Sequence, residues 1–336
     1  MNRFERIHLE RDIDWNPEED SAPATQFLVD HSDSLITYND SPDLGFSASI
    51  NVYRGCEHGC AYCYARPFHE YLGFSAGLDF ETKIMVKERA PELLRAELSA
   101  PTWKPQVIAM SGVTDCYQPV ERKLKLTRQC LSVLAEFRNP VGIVTKNHLV
   151  TRDIDLLAEL AQHRAAVVFV SVTTLDSEVR RVMEPRTSPP AARLAAIREL
   201  SQAGIPVGVM VAPVVPGLTD HELPGIIAAA AEAGARFAGY IVLRLPFGVA
   251  PLFEQWLGEH YPNQKDKVLN RIRSIRGGKL NDPEFGRRQT GQGIFADQIR
   301  SFFTVACRKA GIEGVRPELS AEAFRRPGGT QMNLGL

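Results

Sequence analysis

Short apolar runs and amphipathic stretches alternate along most of this chain, starting near residue 47. Ser47 through Tyr53 reads as a strand, and a helix over about 90–99 precedes the run Val107-Ile108-Ala109-Met110. A helix over 121–137 leads to Val141-Gly142-Ile143-Val144-Thr145, and one over 153–163 leads to Ala166 through Val172. The same alternation gives a helix over 190–204 before Val207 through Val211, then one over 222–234 before Phe237 through Leu243. These strands are continuously apolar, as strands buried on both faces are. Six such repeats predict an α/β fold in which helices cover a parallel sheet. Periodicity alone leaves a doubly wound open sheet in play. The repeat number, with a cysteine loop after the first strand, favours a partial (β/α)6 TIM-like barrel. Chemistry in barrels collects at the C-terminal strand ends.

The flanks break this pattern. Residues 1–45 predict a polar lead-in, with a loop at Pro17, Glu18, Glu19, Asp20, Ser21 and Pro23 and a turn over Asn39–Asp43. Residues 46–250 then form the barrel, and 251–336 a helical and loop extension covering its mouth. Within that extension, Lys265 to Arg288 holds eight Lys or Arg against three acids. Such a run is either a solvated helix and loop or a contact surface for phosphates, nucleic acid included. The chain as a whole has 336 residues, 44% of them hydrophobic, and a net charge of −1, which argues against a protein dominated by phosphate binding. The N-terminus shows no apolar signal core, and no apolar run approaches the roughly 20 residues of a membrane span. Six cysteines in that setting suit a reducing cytoplasm and no membrane partner.

Three of those cysteines lie within eight residues, as Cys56-Glu57-His58-Gly59-Cys60-Ala61-Tyr62-Cys63. The spacing C-x3-C-x2-C offers three thiolates from one tight loop, whereas a 4Fe–4S cubane usually takes four. One iron would then lack a protein ligand and be open to chemistry. A zinc site is the other use of clustered cysteines, but it needs a fourth ligand at comparable spacing. His58 sits inside the loop and no second pair follows. Cys116, Cys130 and Cys307 are isolated, and on amphipathic helices Cys130 and Cys307 read as small buried hydrophobes.

The remaining candidates stand at strand ends. The second strand runs into Ser111-Gly112-Val113-Thr114-Asp115-Cys116-Tyr117, where Gly112 admits a ligand close to the backbone and Thr114 and Asp115 offer acceptors for an ammonium group. Asp115 serves equally as a helix N-cap. Lys146 ends the third strand, where a buried ammonium is costly unless an anion meets it. Ser171 and Thr173 follow the fourth strand with hydroxyls suited to a carboxylate. Glu184 and Arg186 would hold ribose hydroxyls or substrate, or pair with each other. Arg244 ends the sixth strand, where it would face substrate.

The cysteine motif resembles the radical S-adenosylmethionine (SAM) superfamily. Arg54-Gly55-Cys56 through Tyr64, with Thr114-Asp115 and Thr145-Lys146, is similar to its spore photoproduct lyase-like branch. Tyr64-Ala65-Arg66-Pro67, His69 to Gly73 and Leu78 to Glu81 resemble a bacterial subgroup without an established substrate. The resemblance implies a 4Fe–4S cluster on Cys56, Cys60 and Cys63, with SAM on the open iron. It places Tyr62 beside the adenine, Thr114 or Asp115 near the cofactor amine, and Lys146 and Ser171 near its carboxylate. It further implies reductive SAM cleavage to a 5′-deoxyadenosyl radical, hydrogen abstraction from an unknown substrate, and a low-potential electron donor of the flavodoxin or ferredoxin type. Spore photoproduct lyase carries a Cys just before its polar pair, where Gly112 and Val113 stand here. Its thymine-dimer reaction is therefore not expected to transfer, and Cys116 and Tyr117 become the candidate hydrogen-atom donors. An electron carrier or sensor that never cleaves SAM would need a fourth ligand, for which Cys116 is the nearby choice. A nucleic-acid repair lyase is the remaining alternative.

Overall fold

Six short apolar strands lie side by side in sequence order. The computed structural model describes residues 6–7, 24–312 and 317–327. Its strands are β1 (Arg6–Ile7), β2 (Gln26–Val29), β3 (Ile36–Tyr38), β4 (Ala48–Ile50), β5 (Tyr53–Arg54), β6 (Lys83–Val86), β7 (Ile108–Met110), β8 (Val141–Thr145), β9 (Ala166–Ser171), β10 (Val207–Val214) and β11 (Phe237–Val242). The larger sheet has the order β11-β10-β9-β8-β7-β4-β3. Neighbours from β4 to β11 run parallel, with Ile50 opposite Met110, Met110 opposite Ile143, and Thr145 opposite Val170. Parallel neighbours need crossovers, and helices supply them. The sheet is the partial TIM-like barrel that the six repeats predict.

Side-chain alternation gives the sheet its two faces. Val141 and Ile143 are fully buried against the helices, while Val144, the next residue along the strand, faces the other way and is 37% exposed. Val207, Val209 and Val211 pack into the same core as the helices, and Met210 projects the other way, half-buried. A Cβ on Gly208 would meet the Phe169 ring at 2.6 Å, so the glycine makes room for that ring. The inner face of the barrel is therefore largely apolar.

The helix expected over 121–137 is two helices, Glu121–Leu124 and Leu126–Phe137. Lys125 adopts φ 55 between them. The break lets the buried Glu121 carboxylate turn back and accept from the Thr127 and Arg128 amides at 3.0 and 3.3 Å. These are two of the four N–H groups a helix start leaves unpaired. The second helix buries Leu131, Leu134 and Phe137, each burial contributing ~2 kcal/mol.

The segment read as a lead-in is more than that. β3 pairs antiparallel with β4 at the edge of the barrel sheet, and β2 joins a second sheet of order β1-β2-β6-β5. Four-residue runs such as Gln26–Val29 acquire their partners from far along the chain, so local pattern does not mark them. β5 pairs antiparallel with β6, Tyr53 opposite Val86, and so anchors the chain directly before Cys56. The loop expected at Pro17 to Pro23 lies outside the described residues. After the barrel come helices Val249–His260, Lys265–Ile275 and Ile294–Ala310. The segment between the last two spans the two edges of the barrel sheet. Val242 at the end of β11 donates to the Gln289 carbonyl at 2.8 Å, while Arg288 pairs with Asp43, beside β3, at 2.6 Å. It covers a sheet edge that would otherwise be open to pairing.

Candidate functional site

The cysteine loop is fixed from several sides. Gly55 has φ +81, and a Cβ there would lie 2.8 Å from the Phe80 carbonyl, which accepts from the Cys56 amide at 2.9 Å. Gly59, at φ +66, lies against Glu81 and Arg186 in the same way. The buried Arg66 guanidinium donates to the carbonyls of Cys60 (3.1 Å), Gly59 (3.2 Å), Ala76 (3.1 Å) and Gly77 (2.8 Å), and pairs with Glu81 at 3.2 Å. Gln118 clamps the other flank, accepting from the Glu57 amide at 2.9 Å and donating to the Gly55 carbonyl at 3.2 Å. Ala61 donates to the Met183 carbonyl at 3.0 Å. With the backbone so occupied, the thiols of Cys56, Cys60 and Cys63 stay free.

Burial pushes all three thiols up, Cys60 to about 12, with Cys56 and Cys60 each also raised by the neighbouring thiols. Arg66 opposes the rise at Cys63, and Lys146 does so at Cys60 and Cys63. Metal loading must therefore expel protons. Among the described residues no three Cys, His, Asp or Glu side chains converge on a single ion. Three free thiols on one loop are the donor set of an iron–sulfur cluster, in which each thiolate takes a different iron, rather than the four-ligand set of a structural zinc. The residues present thus fit the cluster. Cys116 is not part of the trio: it is buried in the helix-side core, and Asp115, Glu121 and Asp153 surround it electrostatically.

Next to the loop stands a buried carboxylate cluster. Glu184 accepts from the Tyr62 hydroxyl, from Thr173 Oγ1 at 2.7 Å and from the Arg193 guanidinium. Burial alone would raise Glu184, but Arg193, Lys146 and the two hydroxyls outweigh it and hold it at about 2. Arg193 also donates to the Ser171 carbonyl at 3.0 Å. Glu184 and Arg186 do not pair with each other: Arg186 turns to Glu81 and the Glu57 carbonyl. Thr173 is likewise committed within the protein. Lys146 is different. Its ammonium lies 5.9 Å from the Tyr62 ring centroid and makes no hydrogen bond or ion pair among the described residues.

The end of β7 corrects several expectations. Asp115 is spent on the neighbouring strand end, accepting from Thr145 Oγ1 (2.7 Å), the Lys146 amide (2.8 Å) and the Tyr117 amide (2.9 Å). His58 Nδ1 lies 3.5 Å from the same carboxylate, and burial lowers that imidazole to about 4 despite it. Thr114 Oγ1 donates to the Tyr53 carbonyl at 3.0 Å. Gly112 accepts from the Tyr64 hydroxyl at 2.7 Å. Cys116 and Tyr117, expected as hydrogen-atom donors, point into the core instead: Tyr117 is fully buried and its hydroxyl donates to Asp153 at 3.1 Å. Ser111, at φ 79, accepts from the Cys116 amide at 2.8 Å, in the turn that sends both inward.

Sequence reasoning missed Arg66, Gln118, Arg193 and Asn51, whose side chain accepts from the Val113 and Thr114 amides at 2.9 and 3.3 Å. They serve groups of the protein rather than a ligand, backbone in every case and for Arg66 and Arg193 also the Glu81 and Glu184 carboxylates. Only Arg66 carried a signal, as a charge three residues past the last cysteine. The basic segment is mostly used within the chain. Arg271 pairs with Asp220, Arg273 with Glu254, Arg287 with Asp282 and Arg288 with Asp43, and Arg276 is buried against the carbonyls of Val242, Leu243 and Arg288. That arrangement suits a structural role over a phosphate surface.

Comparison with known proteins agrees with this geometry. The family model described as the radical SAM superfamily matches residues 50–230. An uncharacterized protein of Mycobacterium tuberculosis is 39% identical over 248 residues, 72% of this chain and 71% of that protein. Spore photoproduct lyase of Bacillus subtilis is 30% identical over 173 residues, 49% of this chain and 45% of the lyase. The solved structure of a spore photoproduct lyase complexed with dinucleoside spore photoproduct superposes with a TM-score of 0.61 at 17% identity, covering 84% of this chain and 78% of that one. The likeness of fold extends beyond the family segment into the flanks.

Proposed function

The chain belongs to the radical SAM superfamily and is an enzyme, and we propose that Cys56, Cys60 and Cys63 hold a 4Fe–4S cluster with which it cleaves SAM and takes a hydrogen atom from an enclosed substrate. The observation that carries this reading is three free thiols in one clamped loop beside a lysine that makes no hydrogen bond or ion pair among the described residues. When bound, the cluster supplies the electron that splits SAM into methionine and a 5′-deoxyadenosyl radical. The chain's own residues do the rest. Arg66, Gln118 and Arg186 hold the loop so that its thiols need not reorganise on loading. Lys146 meets the carboxylate of SAM, the anion that justifies leaving an ammonium unpaired there. Glu184 fixes the Tyr62 ring by its hydroxyl, and the ring face is the platform for the adenine. The apolar inner face, with Val144, Phe169 and Met210, keeps water from the reacting carbon.

The electron comes from a low-potential donor of the flavodoxin or ferredoxin type. The substrate of the structural neighbour is not carried over, because Gly112 and Val113 stand where that lyase has a cysteine and Cys116 faces the core. The test is anaerobic. The protein is reconstituted with iron and sulfide, given dithionite and SAM, and 5′-deoxyadenosine is read by mass spectrometry. Product is expected from the wild type and none from Cys56→Ala, Cys60→Ala or Cys63→Ala. Full cleavage by any of the three variants would overturn the assignment of the cluster.

A further inference from the structure

We propose that Arg244 is the anchor for an anionic group, a carboxylate or phosphate, on the substrate of this barrel. Arg244 follows the last barrel strand, where its guanidinium lies 5.0 Å from the centroid of the Tyr64 ring. Tyr64 itself follows Cys63 and reaches the opposite rim, donating to Gly112 at the end of β7. The pair thus crosses the open side of the barrel at its mouth, next to the cysteine loop. Three arginines gather there, and their uses differ. Arg276 is buried and spends its donors on three carbonyls at 2.7 to 2.9 Å. Arg288 pairs with Asp43 and Ser41. Arg244 is half-buried, yet it makes no hydrogen bond or ion pair among the described residues.

A guanidinium presents five donors in a planar fork matched to a carboxylate or phosphate. Withdrawing one from water without a partner is costly, so it is normally paired. The cation–π contact with the Tyr64 ring holds the guanidinium at this place without using any of its N–H donors in a hydrogen bond. Arg276 and Arg288 nearby add to the positive potential, and Asp43, already held by Arg288, offsets it only in part. A substrate gripped at this rim would place its body over the apolar inner face.

The inference rests on the reading of the barrel as a radical SAM enzyme, but its test uses no SAM cleavage, so the two can fail separately. The full chain, reconstituted with its cluster, is treated with phenylglyoxal, and modified arginines are located by mass spectrometry. Arg244 is expected to react ahead of Arg276 and Arg288, and inorganic phosphate or acetate at millimolar concentration is expected to slow it by about tenfold, the size of one charge-assisted contact. Stronger protection by phosphate identifies a phosphorylated substrate, and by acetate a carboxylic acid. The same anion should raise the melting temperature of the wild type and not of Arg244→Gln. An unreactive Arg244, no protection by either anion, protection by SAM alone, or an equal melting shift in Arg244→Gln would overturn the proposal.

Discussion

Two buried carboxylate clusters in this protein are built from the same parts and do different things. One centres on Glu184, with the Tyr62 and Thr173 hydroxyls and the Arg193 guanidinium. The other holds Glu121 and Asp153, with the Tyr53 and Tyr117 hydroxyls, Arg152 and Arg128. All three carboxylates are fully buried. The second cluster closes on itself: Glu121 caps a helix, Asp153 takes two arginines, and Arg128 continues outward to Asp155. The first adjoins the cysteines and has Lys146 beside it, which makes no hydrogen bond or ion pair among the described residues. Buried charge alone therefore marks structure, and a site is marked by the charge left unpaired.

Removing the central charge of the first cluster should produce the largest effect. Glu184→Gln leaves Arg193 buried without its anion, which costs about 4 kcal/mol by urea denaturation at neutral pH. It should also lower 5′-deoxyadenosine formation per folded protein by about tenfold at subsaturating SAM, because Tyr62 loses its orienting partner. The pH dependence has a definite sign. Glu184 is held at about 2 against an ordinary 4.5, so its contribution is complete above pH 4.5 and is lost as pH falls towards 2. The difference between wild type and Glu184→Gln should shrink across that window. A constant gap would mean that the carboxylate does not carry it.

Asp153→Asn tests the other half of the comparison. Its arginines are partly exposed and can recover water, so the cost should be nearer 2 kcal/mol. Product formation per folded protein should not change. A catalytic loss would join the two clusters into one functional unit. Tyr62→Phe comes next, removing one hydroxyl from a charged acceptor for about 1.5 kcal/mol while keeping the ring. Its KM for SAM should rise with little change in kcat if the hydroxyl only positions the ring.

The contrast also explains what could be read from the sequence. The six parallel strands and most of the helices between them were legible, because their apolar runs are long enough to fix a period. β2 and β6 were not, since each gains its meaning from a partner some 60 residues away. The cysteine loop was legible because its three thiols lie within eight residues of the chain. Asp115 was visible as a polar residue after a strand end and Glu184 as one in the connection after the fourth strand, but their partners were not. Nothing local tells that Asp115 will be spent on Thr145 and Lys146, or that Glu184 will choose Arg193 over Arg186, two residues away. Which side chain stays free is a property of the assembled fold.

Cys116 carries that point to its smallest and sharpest test. In sequence it is the nearest cysteine that could complete the cluster, and completion would leave no iron open to SAM. In the fold its amide is tied to Ser111, its carbonyl accepts from Thr127 Oγ1 at 2.6 Å, and its thiol packs into the helix-side core. A thiol so placed reaches the loop cysteines only if the turn after β7 rearranges. Cys116→Ala should then cost about 1 kcal/mol, the loss of one buried atom in a tight core. Iron and sulfide content after reconstitution should match the wild type, as should the shift of the cluster's electron paramagnetic resonance signal on adding SAM. Loss of the cluster in this variant would make Cys116 a fourth ligand, close the site, and turn the enzyme reading into that of an electron carrier.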